Sequence, residues 1–174
     1  ILNAGNITVT NLYTCDGNGA IYGIGGIAVQ QSGRFLAASV RNDATYYDSA
    51  AGAVSFTGGG MAAGTFDAGR IWSAAGRSGN VTIGGYSQVT VGSDGIDAHT
   101  QSANGGASHY PGDIVIRNIG AGGVAVAGSI QAWGANAGYG RALLGIVITN
   151  VAGPVTTGNM DVHEGAAGDW CNLH

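Results

Sequence analysis

The sequence predicts an all-β fold, a right-handed parallel β-helix of about five coils, and three observations carry that expectation. Short apolar-x-apolar triplets recur throughout, so that the outer residues of each share one face, as a period-two strand requires. The triplets come back in the same order, the first of each set at a spacing of 32 to 33 residues. No window places apolar residues at helical intervals, and glycine, 34 of 174 residues, interrupts every stretch long enough to try.

The N-terminal stretch Ile7-Thr8-Val9-Thr10-Asn11 alternates cleanly. Ile21, Ile27-Ala28-Val29 and Ala53-Val54-Ser55-Phe56 continue the pattern in weaker form. From Val81 onward it is regular. Val81-Thr82-Ile83, Val89-Thr90-Val91 and Ile96-Asp97-Ala98 form one set. Ile114-Val115-Ile116, Val124-Ala125-Val126 and Ile130-Gln131-Ala132 form the next, and Ile146-Val147-Ile148, Val155-Thr156-Thr157 and Met160-Asp161-Val162 the last. The first triplets of the three sets start at 81, 114 and 146, steps of 33 and 32. Such self-similarity is the signature of a solenoid, each repeat being one coil. Five coils at roughly 4.8 Å each make a column about 25 Å tall. An antiparallel β-sandwich of the jelly-roll or pilin-like kind satisfies the strand pattern as well, with Asp16-Gly17-Asn18-Gly19 and Ser93-Asp94-Gly95 as hairpin turns. Either way, residues 1–174 read as a single all-β domain.

Composition narrows the function. The net charge is −4, only 9% of residues are charged, and every basic residue is Arg. Without a basic cluster there is nothing to neutralise a phosphate backbone, which argues against a nucleic-acid partner. The apolar share is too high for disorder. No apolar run approaches the ~20 residues that a membrane-spanning helix needs. Nothing in the spacing of Cys, His, Asp or Glu points to a metal or other cofactor. Cys15 and Cys171, near opposite ends, are read as a disulfide pair, within one molecule or between two.

The segment Asn80 to Gly106 resembles the repeats of autotransporter passenger domains. The matching pieces are Val89-Thr90-Val91, the corner Gly92-Ser93-Asp94, the run Gly95-Ile96-Asp97-Ala98-His99-Thr100-Gln101-Ser102, and Gly105-Gly106. Gly128-Ser129-Ile130-Gln131-Ala132 gives a looser version. The resemblance implies a right-handed β-helix outside the cell, adhesive or structural, and no catalytic residue. The glycine run is shorter here than in that family, and the cysteine pair is foreign to it.

Candidate sites are few. Asp94, Asp97, His99 and Asp113 are the densest ionisable group and the candidates for a polysaccharide lyase or glycoside hydrolase, an activity needing two carboxylates at a set separation. Solvated corners are the simpler reading, with Asp94 a turn residue. Asp161, His163 and Glu164 form a second group without a nucleophile motif. Arg117 and Arg141 are expected to pair with acidic residues of neighbouring coils. Among the aromatics, Tyr46, Tyr47, Tyr110, Trp133, Tyr139 and Trp170, alternation turns Trp133 outward, which makes it, with Tyr139, the candidate for ligand contact. Asn6-Ile7-Thr8 and Asn80-Val81-Thr82 match the glycosylation acceptor pattern.

Ile1, Leu2, Ile7 and Val9 make the N-terminus apolar, with no charged cap to guard a solenoid end. Residues 1–11 are therefore the candidate inter-subunit or donor strand. These features predict a non-enzymatic extracellular structural or adhesive protein that self-associates into a surface fibre or layer. The alternative is a β-helix that binds or degrades carbohydrate. The expected partners are copies of itself and surface glycans.

Overall fold

A computed structural model describes residues 5–15, 23–43, 50–75, 78–100, 111–134 and 145–164. Along the chain these residues form β1 (Ile7–Cys15), β2 (Gly23–Ile24), β3 (Ile27–Gln30), β4 (Phe35–Asp43) and β5 (Ala50–Ala51). There follow β6 (Val54–Thr57), β7 (Thr65–Ala68), β8 (Ile71–Ala75), β9 (Val81–Val91) and β10 (Ile96–Thr100). The last are β11 (Ile114–Val126), β12 (Ile130–Gly134), β13 (Ile146–Val151), β14 (Val155–Thr157) and β15 (Met160–Glu164). Every strand pairing among the described residues is parallel, and none joins neighbours in sequence. The sandwich alternative is thereby excluded, because hairpins pair consecutive strands antiparallel. The fold is a parallel β-solenoid.

The pairings resolve into three faces. Face A stacks β3, β6, the start of β9, the start of β11 and β13. Face B stacks the start of β1, the start of β4, β7, and the ends of β9 and β11 with β14. Face C stacks the ends of β1 and β4, then β8, β10, β12 and β15. The triplets read from the sequence fall into register one on another: Val81 on Ile114 on Ile146, and Ile96 on Ile130 on Met160. On face A the steps are 27, 27, 33 and 32 residues, counted from Ile27 through Val54, Val81 and Ile114 to Ile146. The variation lies largely in the connection from face C to face A. Between β8 and β9 it runs from 76 to 80, between β10 and β11 from 101 to 113.

Alternation directs every second side chain of a strand inward, and register stacks these into columns. Ile27, Val54, Val81, Ile114 and Ile146 line face A, and Phe35, Phe66, Val89 and Val124 line face B. The fully buried Ile, Val and Phe side chains each contribute roughly 1.5–3 kcal/mol by leaving water. Phe35, Phe56, Phe66 and Tyr86 form an aromatic plug in the middle of the column, with ring centroids 4.8 to 5.6 Å apart.

Face C starts with a polar inward column, Thr14 on Asn42 on Ser73, before changing to Ala98, Ala132 and Val162. Its buried polar atoms have partners. The Thr14 hydroxyl donates to Asn42 Oδ1 at 2.5 Å, Asn42 Nδ2 donates to the Gly52 carbonyl, and Ser73 Oγ donates to that of Gly79.

Glycine abundance has a geometric cause at the corner before face A. There Gly26, Gly52, Gly79 and Gly112 lie one above another, and a Cβ on Gly79 would stand 2.0 Å from the Gly52 carbonyl oxygen. Backbone packs on backbone at this corner, so only glycine fits. Side chains staple corners too: Asn6 Oδ1 accepts the Arg34 N–H at 2.8 Å, and at the corner before face A Asn80 Oδ1 accepts that of Asp113 at 3.0 Å. The two asparagines of the glycosylation pattern are thus hydrogen-bonded to the next coil.

Residues Ile7 and Val9, read as part of a donor arm, belong to the chain's own first rung, in register with Phe35 and Ala37. Ile7 is buried there. Ile1 and Leu2 lie outside the described residues, as do Cys171 and Tyr139. The backbone of Cys15 ends β1 beside Asp43, and the pairing of the two cysteines falls outside the described residues.

Candidate binding face on the outside of the column

The outward side chains of face C stand in two columns. One runs Tyr13, Arg41, Trp72, Asp97, Gln131, Asp161, and the next Asp43, Ala74, His99, Trp133. Parallel pairing without register shift sets such rows, at about 4.8 Å per rung.

Within the first coils the rows converge on Trp72. The Arg41 and Arg70 guanidinium carbons lie 5.6 and 5.5 Å from the Trp72 ring centroid, inside cation–π range. Arg41 is ion-paired with Asp43, and Arg70 Nε donates to Ser39 Oγ at 3.0 Å. Two donors, Arg41 Nε and Trp72 Nε1, are buried without an acceptor. Asn11, Tyr13, Ser39, Arg41 and Arg70 line a surface depression of about 170 Å³. Thr8, Thr10, Leu36, Ala38, Asp67 and Gly69 line a wider one of about 430 Å³. The two linings follow one another along the strands, Thr8 and Thr10 before Asn11 and Tyr13 on β1, Leu36 and Ala38 before Ser39 and Arg41 on β4, so the depressions adjoin at the B–C corner. Arg34 and Asp67 bridge at 3.0 Å beside the wider part. Tyr13 is 57% exposed, the most exposed large side chain with apolar surface among the described residues.

Further along face C, His99 Nδ1 lies 2.9 Å from Asp97 Oδ1. The His99 ring meets Trp72 edge-on at 5.2 Å and stacks on Trp133 at 5.1 Å, 11° from parallel. Trp133 does stand on the outer side, but its ring is half-buried against His99.

The other sequence candidates disperse. Asp94 is exposed at the B–C corner. Asp113 is buried before face A, where its Oδ1 accepts the Gly145 N–H at 3.0 Å. Asp97 is held by His99. The three carboxylates thus sit at two different corners and on the face between them, and the described geometry does not assemble them around a common point. Asp161 is half-buried on β15, with the backbones of His163 and Glu164 following it. Arg117 is exposed on face A, beside Gly84 and Thr149, with no ion pair among the described residues. Arg141, Tyr46, Tyr47, Tyr110 and Trp170 lie outside them. The inter-coil ion pair expected of Arg117 is made instead by Arg34 and Asp67.

Sequence reading missed Tyr13, Arg41, Arg70 and Trp72. The available signal was their position after or before inward residues, Leu12, Val40 and Ile71, which fixes the face but not the neighbours.

Among the described residues no helix is long and apolar enough to cross a membrane. The fold and the face define a parallel β-solenoid with an aromatic and arginine-lined groove on one flank. Comparison with protein-family models, with curated proteins and with solved structures finds no match.

Proposed function

We propose that the chain is an extracellular adhesive scaffold, a rigid column whose outer face C holds polysaccharide. The observation that carries this reading is the single register column Tyr13, Arg41, Trp72, Asp97 and Gln131. Rings to lie against apolar sugar faces alternate there with groups that hydrogen-bond hydroxyls, on a backbone that cannot rearrange. An open groove without a deep cavity suits a chain-like ligand better than a small molecule. The extracellular location rests on the resemblance of residues 80–106 to passenger repeats and on the low charge.

The test is retention of the folded chain on immobilised polysaccharides, neutral and charged. Binding with the polymer left intact supports the reading. Release of reducing ends that disappears in Asp97→Asn moves the protein to the degrading alternative. No retention on any polymer overturns the carbohydrate reading.

A second reading, self-association into a fibre or layer, is favoured by Val155. It is 49% exposed on the last rung of face B, although Phe35, Phe66 and Val89 in the same column are fully buried. A copy stacked on that rung continues the ladder and covers the column's end. Sedimentation of the chain at increasing concentration tests it. A constant monomer mass excludes this reading and leaves adhesion standing.

A further inference from the structure

We infer that the groove between Tyr13 and Arg70 is selective for an acidic saccharide, one whose carboxylate docks on the two guanidinium groups while a sugar ring lies against Tyr13. This rests on the carbohydrate reading above and names the substrate class.

The argument starts from charge. The chain carries six Arg against ten acidic residues, yet among the described residues the smaller depression is lined by two Arg and by no carboxylate. Arg34, the arginine nearest in the coil order, is already matched by Asp67. Arg70 is matched by no carboxylate among the described residues. Its partners are the Ser39 hydroxyl and the face of Trp72, both neutral. Arg41 shares one carboxylate, Asp43, and its Nε stays without an acceptor, as does Trp72 Nε1 in the register-paired position. Arg41 Nε and Trp72 Nε1 are closed off from the surface, so what a ligand meets in the depression is the charge of Arg41 and Arg70, and of the two only Arg41 is matched by a carboxylate among the described residues. Guanidinium groups recognise planar carboxylates through two parallel N–H bonds, a geometry that a neutral hydroxyl does not offer.

The remaining lining identifies a sugar rather than a bare anion. Tyr13 neighbours Arg41 in register, so its exposed ring stands one rung from the charge. Asn11 and Ser39 add an amide and a hydroxyl to the same wall, groups that serve the hydroxyls of a pyranose. Beyond them lies the wider depression over Thr8, Thr10, Leu36 and Ala38, whose one carboxylate, Asp67, is bridged to Arg34.

The experiment is calorimetric titration of the folded chain with oligogalacturonate, its methyl-esterified form, neutral oligogalactose and sodium sulfate. Oligogalacturonate is expected to bind at least tenfold more tightly than the ester. Arg70→Gln should remove most of that preference, and Arg70→Lys, which keeps charge but loses the fork, should retain part of it. Tyr13→Ala should weaken the acidic and esterified forms alike. Arg117→Gln, on face A, is the unchanged control, and thermal melts confirm that each variant is folded.

Equal affinity for acid and ester, or an Arg70→Gln variant with its preference intact, overturns the acidic selectivity while the adhesive reading survives. Binding of sulfate with no saccharide bound reduces the groove to a plain anion site and overturns both. Binding of no saccharide and no sulfate likewise removes both.

Discussion

Asn150 Nδ2 donates to Asn118 Oδ1 at 2.7 Å, and both residues hold the backbone at positive φ, 51° and 56°. They stand one above the other between faces A and B, where the register on β9 places Gly85 at φ 76°. In these three coils the corner takes a left-handed residue, and in two of them asparagine supplies it while bonding its counterpart. Asn118→Ala forces an ordinary side chain into that region at about 1–2 kcal/mol and loses a hydrogen bond of about 1 kcal/mol. Asn118→Gly keeps the backbone and loses only the bond. Urea unfolding should therefore rank the glycine variant above the alanine variant by about 1 kcal/mol. The reverse order would mean that the corner does not depend on its positive φ.

Gly79→Ala is expected to be a strongly damaging small change in the column. The new Cβ meets the Gly52 carbonyl, backbone against backbone, and neither coil can yield without breaking its ladder. Overpacking of this kind costs about 3 kcal/mol. At roughly 2–4 °C per kcal/mol for a chain of this size, the melting temperature should fall by about 10 °C. Gly25→Ala, where nothing lies within 4 Å and φ is ordinary, should change it by no more than about 2 °C. A circular-dichroism melt of the two variants side by side decides the matter.

The sequence made the column legible where the coils are regular. The first triplets from Val81 onward sit in the register that their 32–33 residue recurrence implied, and the second and third triplets pair in the same order, because parallel stacking repeats one inward pattern on every rung. Upstream the steps shorten to 27, since the connection from face C to face A varies in length, and a fixed period blurs there. The groove was hidden for that reason. Tyr13, Arg41 and Trp72 are 28 and 31 residues apart, and only the pairing of β1, β4 and β8 brings them together. Alternation placed Trp133 outside correctly, but could not foresee that His99, one coil away, would take its ring face.

Tyr86→Phe should stabilise the protein. The Tyr86 hydroxyl is buried in the aromatic plug without a hydrogen-bond partner, and an unmet polar group of this kind costs about 1–3 kcal/mol. Burial also pushes the phenol's pKa well above its ordinary value. In the unfolded chain the phenol ionises near pH 10. Below that pH both states hold the proton and this group adds no slope. Above it the unfolded state loses the proton first, so stability falls as pH rises. The advantage of the phenylalanine variant in urea midpoint should be about 1 kcal/mol at pH 8 and widen at pH 11. A gap that stays constant would show that the hydroxyl reaches water.

Asp113 staples successive coils. Its carboxylate takes the Gly145 N–H of the next coil, while its own N–H is taken by Asn80 of the coil before. Asp113→Ala leaves a buried donor unmet and should cost about 2 kcal/mol, whereas Asp113→Asn keeps an acceptor and should cost less. Polysaccharide retention by the folded asparagine variant should match the parent. Loss of retention with stability preserved would return Asp113 to the list of ligand contacts.

Trp133 and Tyr13 separate stability from binding on the same face. The Trp133 ring lies flat on His99, a stacked pair worth about 0.5–1.5 kcal/mol beyond the area it buries. Tyr13 is mostly in solvent and contributes little to folding. Trp133→Ala is therefore expected to lower the urea midpoint by the equivalent of about 2 kcal/mol, less than a fully buried Trp would cost, and to leave saccharide affinity within about twofold. Tyr13→Ala should leave the midpoint unchanged and weaken saccharide binding about tenfold, or about 1.4 kcal/mol. Each variant needs both measurements, because the assignment depends on the crossing of the two effects. If Trp133→Ala instead lost affinity at full stability, the sugar would lie on the later rungs of face C, and the groove at Tyr13 would be empty surface.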